Sequence, residues 1–400
     1  MTSSQALPRQ PRIGVPLLAA LSVGSLVIAQ LPTFLTGAVG VQLQRDMGFG
    51  ATELGAAIAA SLAMSFLGSV AFGKLVQRHG WTAGMRFAAG LSALSMGGIA
   101  LLADSWLPLA GLLILGGVAK SAGHPAANLA IAGESPVHRQ GLLFGIKQAG
   151  VPAAAMLGGL SVPLVVIDHG WRASFAISAV LAVAFIMFVP RRSRTTADSG
   201  SVTGPLRQPE TRRLALIVLA AGAGAGVAVS NSVAGFLTSY SVTIGIDEGS
   251  AGLLLAVASF SGLAGRVAIG WVSDKIALGL GTVSVLLASG GGGVALITTQ
   301  VPELVVIGSI VAFGAGWAWA GIFNLAVVRR NPSAPAIATG YTQAGVYAGA
   351  GVGPFFFGVL ADWGGYVIAW WAVAAVALVA AAIMLLGDRT SLSGNLPVVD

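Results

Sequence analysis

Long apolar runs recur along the whole of this sequence, with short polar segments between them. A helix needs roughly 20 apolar residues to cross the hydrocarbon core of a bilayer. Twelve stretches meet that length: 14–41, 52–73, 83–103, 107–131, 141–164, 173–190, 214–242, 250–271, 280–299, 303–328, 336–361 and 366–387. Only 9% of the residues are charged, too few to cover a soluble fold of this size. We therefore predict an all-α polytopic membrane protein with twelve transmembrane helices, whose outer surface contacts membrane lipid.

The basic residues are distributed unevenly among the segments that join the predicted spans. With the N-terminus in the cytoplasm, sixteen of the 21 Lys and Arg residues lie in cytoplasmic segments, and only Arg45 and Arg172 lie on the opposite side. Such a bias follows the positive-inside rule. We therefore expect a cell (inner) membrane protein with both termini in the cytoplasm. The net charge of +7 then reflects membrane topology, and we expect no nucleic-acid partner.

One long polar segment divides the chain into two groups of six spans. Residues 191–213 carry six arginines together with Ser, Thr, Gly and Pro, a composition typical of a flexible linker. The predicted organisation is a cytoplasmic tail, an N-terminal half, a linker, a C-terminal half and a second tail, at residues 1–13, 14–190, 191–213, 214–387 and 388–400.

The two halves resemble each other at a shift of about 196 residues. Short matches keep their order and nearly constant spacing: 34–36 with 236–238, 128–130 with 324–326, and 148–151 with 343–346. Repeated halves are typical of transporters in which one half rocks against the other around a site near the bilayer midplane. We therefore predict two six-helix halves related by a pseudo-two-fold axis along the membrane normal.

The loop after the second predicted span contains basic residues between two glycines. Residues 73–80 read GKLVQRHG, which resembles the loop signature of the major facilitator superfamily, although Gln77 stands where that family usually has Asp. The matching segment of the second half, 270–275, keeps an acid. The resemblance extends over nearly the whole chain, and it implies a twelve-helix transporter that works as a monomer.

The charges and glycines of these two loops are predicted to gate the cytoplasmic side. Charges at cytoplasmic helix ends can pair across the bundle in one conformation and separate in another. The alternative is that they only mark the cytoplasmic side. The predicted gating residues are Gly73, Arg78, Gly270, Asp274 and Lys275.

The ionisable residues inside the predicted spans are all basic. All fourteen Asp and Glu residues fall at or outside span ends, whereas Lys120, His124, Lys147 and Arg266 lie within spans. A charge at membrane depth is costly and marks a functional site. With no internal acid to neutralise these groups, we predict that a substrate anion is their partner.

Three of the predicted site residues share one face of the fourth span. His124 and Asn128 follow Lys120 at intervals of four residues, and Pro125 is predicted to kink this helix. His124 is a candidate carrier of a coupled proton. The alternatives are that Lys120 pairs with backbone carbonyls, that His124 is a packing group, and that Lys147 extends to the membrane interface.

Arg266 lies in a stretch that resembles the eighth helix of oxalate:formate antiporters and monocarboxylate porters. The resemblance is carried by Gly265-Arg266, Gly270 and 273–275. It implies that Arg266 binds a substrate carboxylate, a role that suits the planar guanidinium fork. The alternative is a structural arginine that pairs with a nearby carbonyl or with Asp274.

Further polar and aromatic residues of the spans are predicted to line the same cavity. Aromatic residues in membrane spans are more often packing groups, so these candidates carry less weight. They are Gln30, Gln148, Asn231, Trp317, Asn324, Tyr341, Gln343 and Tyr347.

These features predict a secondary active transporter that moves a small organic anion, favouring a carboxylate, by alternating access with coupling to protons. The alternative is a proton-coupled exporter of drugs or other hydrophobic compounds. We expect no enzymatic activity, catalytic residue, metal or cofactor. The chain has no cysteine, its four histidines are scattered, and it lacks a phosphate-binding loop.

Overall fold

The computed structural model describes residues 13–135, 137–191, 210–273, 275–276, 278–331 and 335–392. Most of the predicted linker, both chain ends and Asp274 lie outside these ranges. The first half contains α1 (Val15–Ala38), α2 (Gly40–Met47), α3 (Ala51–His79), α4 (Trp81–Leu102), α5 (Trp106–Glu134), α6 (Val137–Gln148), α7 (Gly150–Ser161), a π-helical turn (Val162–Val166) and α8 (Ile167–Phe188). The second half contains α9 (Glu210–Thr243), α10 (Glu248–Ser273), α11 (Leu280–Ile297), α12 (Pro302–Gly314), α13 (Trp319–Arg330), α14 (Pro335–Gly364) and α15 (Tyr366–Leu392).

The described residues contain eleven helical stretches that are long and apolar enough to cross a membrane. One of them, Leu142–Phe188, has 47 residues, about twice what one crossing needs. Its backbone leaves the helical conformation at Gly170, with φ 77°, a value that glycine adopts without steric cost. This stretch therefore makes two crossings, and the predicted all-α protein with twelve transmembrane helices is confirmed.

Two spans are interrupted near the middle of the bundle. The fifth breaks between α6 and α7 at Ala149, and the tenth breaks between α12 and α13 over 315–318. By contrast, α5 contains Pro125 without an interruption, and the kink predicted there stays a prediction. A break leaves main-chain carbonyls without helical partners, which is tolerated at membrane depth only where other protein groups or a cavity satisfy them.

Opposite ends of the bundle carry opposite charges, and we name them the acidic end and the basic end. The acidic end carries Asp46, Glu53, Asp104, Asp168, Asp247, Glu248, Glu303 and Asp362. Here Ser250 donates hydrogen bonds to Asp247, which lowers the pKa of that carboxyl. The basic end carries Lys74, Arg78, Arg86, Arg139, Arg191, Lys275, Arg329 and Arg330.

The two halves pack most closely towards the acidic end, where glycines allow the helices to touch. A Cβ atom on Gly55 of α3 would lie 2.2 Å from the carbonyl oxygen of Pro354 in α14. A Cβ atom on Gly159 of α7 would lie 2.6 Å from the carbonyl oxygen of Gly252 in α10. Small residues permit such close contact between transmembrane helices.

Two carboxylates of the C-terminal half tie the halves together at this end. Glu248 accepts hydrogen bonds from Gln42 Nε2 and Arg45 Nη2, each at 2.5 Å. Asp362 accepts hydrogen bonds from the main-chain N–H groups of Ala51, at 2.9 Å, and Thr52, at 2.7 Å. We call these four contacts the acidic-end latch. The bundle is therefore closed at its acidic end.

Candidate functional site: a cavity between the two halves

A cavity of about 280 Å³ lies between the halves, from the middle of the bundle towards the basic end. Its walls come from α1, α3, α5, α6, α7, α9, α10, α13 and α14 and from the break in the tenth span. Pockets for small molecules span roughly 300–1,000 Å³, so this cavity is at the small end of the range.

The structure places twelve of the thirteen predicted substrate-binding residues around this cavity. They are Gln30, Lys120, His124, Asn128, Lys147, Gln148, Asn231, Arg266, Trp317, Asn324, Gln343 and Tyr347. Tyr341 is the exception, because it packs against the second apolar cluster, around Leu216 and Ala338. Two residues turn a helix by about 200°, so Tyr341 and Gln343 point to different sides of α14. Lining the cavity does not by itself show that a residue binds substrate, so the binding roles stay predictions.

Lys120 is buried in the cavity wall with a neutral partner. Its side chain is 2% exposed, and Nζ donates a hydrogen bond to Thr33 Oγ1 at 2.6 Å. Thr33 Oγ1 in turn lies 3.1 Å from Ser61 Oγ. The cavity lining contains no Asp or Glu, so no acidic side chain of the lining pairs with this amine.

Lys147 is also buried and does not extend to the membrane interface. It is 5% exposed, and Nζ donates to Asn128 Oδ1 at 2.5 Å. Its ammonium group lies 5.8 Å from the centre of the Phe144 ring. His124 lies one helical turn from Lys120 and one from Asn128, so these three residues of α5 and Lys147 of α6 form a polar stripe.

Arg266 joins the breaks of the two interrupted spans. Nε donates to the carbonyl oxygen of Trp317 at 2.9 Å, and Nη1 donates to the carbonyl oxygen of Gln148 at 2.8 Å. The second bond crosses between the halves. These bonds match the structural alternative predicted from the sequence. They occupy two of the five guanidinium N–H groups, and within the described ranges the other three remain available to a ligand.

An aromatic wall completes this part of the cavity. The Trp317 ring lies 6.1 Å from Phe34 and 4.7 Å from Phe313, measured between ring centres. The buried indole Nε1 of Trp317 and the buried Oε1 of Gln148 have no hydrogen-bond partner among the described residues. Both atoms are enclosed by neighbouring protein atoms, so a ligand or water reaches them only when nearby side chains move.

Several lining residues were missed by the sequence reasoning. Thr33 and Phe34 follow Gln30 by three and four residues, the helical spacing that would have placed them on the same face. The others are of types that are common in any membrane helix. They are apolar residues and the hydroxyl and aromatic residues Ser65, Ser69, Ser121, Ser230, Trp319 and Phe323.

Four of the five predicted gating residues are described, and they lie at the basic end. Arg78 is exposed at the end of α3, and Lys275 Nζ lies 3.5 Å from the centre of the Trp271 ring. Gly73 lies in α3, and a Cβ atom on Gly270 of α10 would meet nothing within 4 Å. Asp274 lies outside the described residues. The gating roles therefore stay predictions.

Helix order, repeated halves and a central polar cavity are features of one class of membrane protein. Residues 21–301 and 245–399 match the sequence profile of the Major Facilitator Superfamily. The chain belongs to this family of membrane transporters, whose members are not enzymes.

Two similar transporters are known by sequence, and their names give no substrate. An "Uncharacterized MFS-type transporter" of Mycobacterium tuberculosis, found in strains CDC 1551 / Oshkosh and ATCC 25618 / H37Rv, is 28% identical over 184 residues. That match spans 44% of this chain and 40% of the relative, so the chain matches about two fifths of the length of this relative.

Solved structures share the fold. A bacterial homologue of the human lysosomal transporter Spinster, in an inward-facing and occupied conformation, has a TM-score of 0.74 at 16% identity and covers 96% of this chain and 98% of its own. A D-xylose-proton symporter has a TM-score of 0.73 at 16% identity, covering 92% and 97%. The inward-open xylose transporter of E. coli has a TM-score of 0.71 at 17% identity, covering 92% and 95%.

Proposed function

We propose that this chain is a secondary active transporter of a small organic anion, with a carboxylate as the favoured charged group. The observation that supports this proposal is the charge of the cavity. Lys120, Lys147 and Arg266 line it, and its lining contains no Asp or Glu. Buried cations without a counter-charge are costly. An anion that enters between the halves removes that cost and gains charge-assisted hydrogen bonds.

Transport by alternating access is supported by the position of the contacts between the halves. The acidic-end latch joins the halves at one end, and the cavity lies between them from the middle of the bundle towards the basic end. We infer that the basic end faces the cytoplasm of a cell membrane, because basic loops favour that side. Protons are the proposed coupling ion, carried by His124 or by the carboxylate itself, and the monomer is the proposed working unit.

Export of hydrophobic compounds is the competing function. An exporter of organic cations would need a carboxylate at membrane depth, and the cavity lining has none. Export of neutral or anionic compounds by the same fold remains the alternative that the experiment must distinguish.

The test is uptake of radiolabelled small carboxylates into proteoliposomes, with and without an inward proton gradient. The variants are Lys120→Met and Arg266→Ala, and the control is Arg139→Ala, which removes an exposed arginine at the basic end. We expect gradient-stimulated carboxylate uptake in wild type and control and its loss in both cavity variants. Transport of neutral or cationic compounds with both cavity variants unaffected would refute the proposal.

A further inference from the structure

Six carboxamide side chains line the cavity, and most of them are free. Five have no side-chain hydrogen bond to any described residue, while Asn128 Oδ1 accepts the bond from Lys147. The arginine bond to Gln148 uses its main-chain oxygen, so the side-chain Oε1 stays unpaired. The six carboxamides are Gln30, Asn128, Gln148, Asn231, Asn324 and Gln343.

The carboxamides are shared equally by the two halves, whereas the cations are not. Each half contributes three amides, and two pairs occupy matching positions of the internal repeat: Asn128 with Asn324, and Gln148 with Gln343. At the same shifts, the counterparts of Lys120 and Lys147 are Gly316 and Thr342, which carry no charge. The cavity therefore combines an amide set contributed by both halves with a cationic group placed mainly in the N-terminal half.

This combination restricts the chemistry of the ligand. A carboxylate only accepts hydrogen bonds, so it satisfies cations and N–H donors but leaves amide oxygens without a donor. A hydroxyl group both donates and accepts, and it matches both atoms of a carboxamide. The unpaired carboxamides of Gln30, Asn231, Asn324 and Gln343 thus match ligand hydroxyl groups better than they match a carboxylate alone.

We propose that the substrate is a polyhydroxylated carboxylate of the sugar-acid type. The carboxylate is held by Lys120, Lys147 and the free N–H groups of Arg266, and the hydroxyl groups are held by the carboxamides of both halves. The carbon chain packs on the aromatic wall of Phe34 and Trp317. This inference rests on the proposed anion transport and names the substrate class of that site.

A ligand that lacks either the carboxylate or the hydroxyl groups matches the cavity poorly. A hydroxyl-free carboxylate leaves the carboxamides dehydrated and unpaired, and a neutral polyol leaves the cations unpaired. Sites built to bind a substrate hydroxyl reject analogues that lack it much more strongly than apolar pockets reject an extra methylene. The diagnostic measurement is therefore the difference in affinity between ligands of the same size that carry both groups or only one of them.

The experiment compares three six-carbon probes on the purified full chain: gluconate, hexanoate and sorbitol. Ligand binding raises the unfolding temperature in a concentration-dependent way, and intrinsic tryptophan fluorescence reports it. We expect an apparent Kd for gluconate at least about 100-fold lower than for hexanoate or sorbitol, a ratio in the range that hydrogen-bonding sites reach. Galactonate and glucuronate are two further sugar-acid probes in the same assay.

A pair of matched variants assigns the effect to the cavity. Gln343→Asn withdraws a cavity carboxamide by one methylene, and we expect about a tenfold higher Kd for gluconate. The control Gln300→Asn makes the same change in an exposed loop at the acidic end, where φ is 61°, a conformation that Asn tolerates. Gln300→Asn should leave every Kd unchanged.

Each contrary outcome has a distinct meaning. Equal affinity for hexanoate and gluconate would overturn the hydroxyl requirement while leaving anion transport intact. Equal affinity for sorbitol and gluconate would overturn both, because the charge would then contribute nothing. Binding of none of the sugar acids would overturn the substrate class, and the carboxylate uptake assay would show separately whether anion transport survives.

Discussion

Replacing Asp362 with alanine should shift this transporter towards a conformation that is open at the acidic end. Asp362 belongs to α14, but its carboxylate accepts the N–H groups of Ala51 and Thr52 at the start of α3, in the other half. It therefore acts as an N-terminal cap supplied across the interface between the halves. These bonds exist only while the acidic end is closed, so their loss destabilises the closed state alone.

The size of the shift follows from the cap. Loss of a side-chain cap costs about 0.5–2 kcal/mol, and interaction of the carboxylate with the helix dipole adds about 0.3–1 kcal/mol. Asp362 is exposed, so solvent screening reduces the electrostatic part. We expect a net effect of about 1–2 kcal/mol, which corresponds to roughly a 5–30-fold change in the ratio of closed to open molecules.

Distances between spin labels measure this ratio. The chain has no native cysteine, so labels at Ser105→Cys and Thr299→Cys, both exposed at the acidic end of opposite halves, are unique. Asp362→Ala should add a population with a longer distance between the labels. The control Asp168→Ala removes an exposed acid at the same end that makes no cross-half bond within the described ranges. An unchanged distance distribution in a folded Asp362→Ala protein would refute the role of the cap.

Three smaller perturbations test other parts of the structure. Glu248→Gln should add a smaller population with the longer label distance than Asp362→Ala does. It weakens the ion pair with Arg45, which is 62% exposed, and exposed pairs contribute less than about 1 kcal/mol. Thr33→Val should lower the unfolding temperature, since it removes the hydrogen-bond partner of Lys120 at a cost of about 1–3 kcal/mol. Gly349→Ala would place Cβ 1.9 Å from the carbonyl oxygen of Gly224 and should cost about 1–3 kcal/mol. Gly111→Ala meets nothing within 4 Å and lies inside α5, so it should leave the unfolding temperature unchanged or raise it slightly.

Hydropathy predicted the spans because the cost of exposing polar groups to lipid acts on each segment separately. For the same reason, the polar residues that stand out within apolar spans predicted twelve of the 27 cavity-lining residues, including Lys120 and the matched pair Gln148 and Gln343. Tyr341 was misplaced because its side of α14 depends on the neighbouring helices, which the local pattern does not contain.

Features that depend on contacts between distant segments could not be predicted from the sequence. The breaks at Ala149 and 315–318 have no strong local signal, whereas Pro125, the strongest local signal for a break, lies in a continuous helix. Arg266 stabilises both breaks through carbonyls of two different halves, and Asp362 caps a helix 310 residues away in sequence. The membrane fold, the repeat and the basic residues within the spans could be read from the sequence, because each depends on local composition or order. The latch, the closed acidic end and the pairing of Arg266 required the folded bundle, because only packing brings these groups within hydrogen-bond distance.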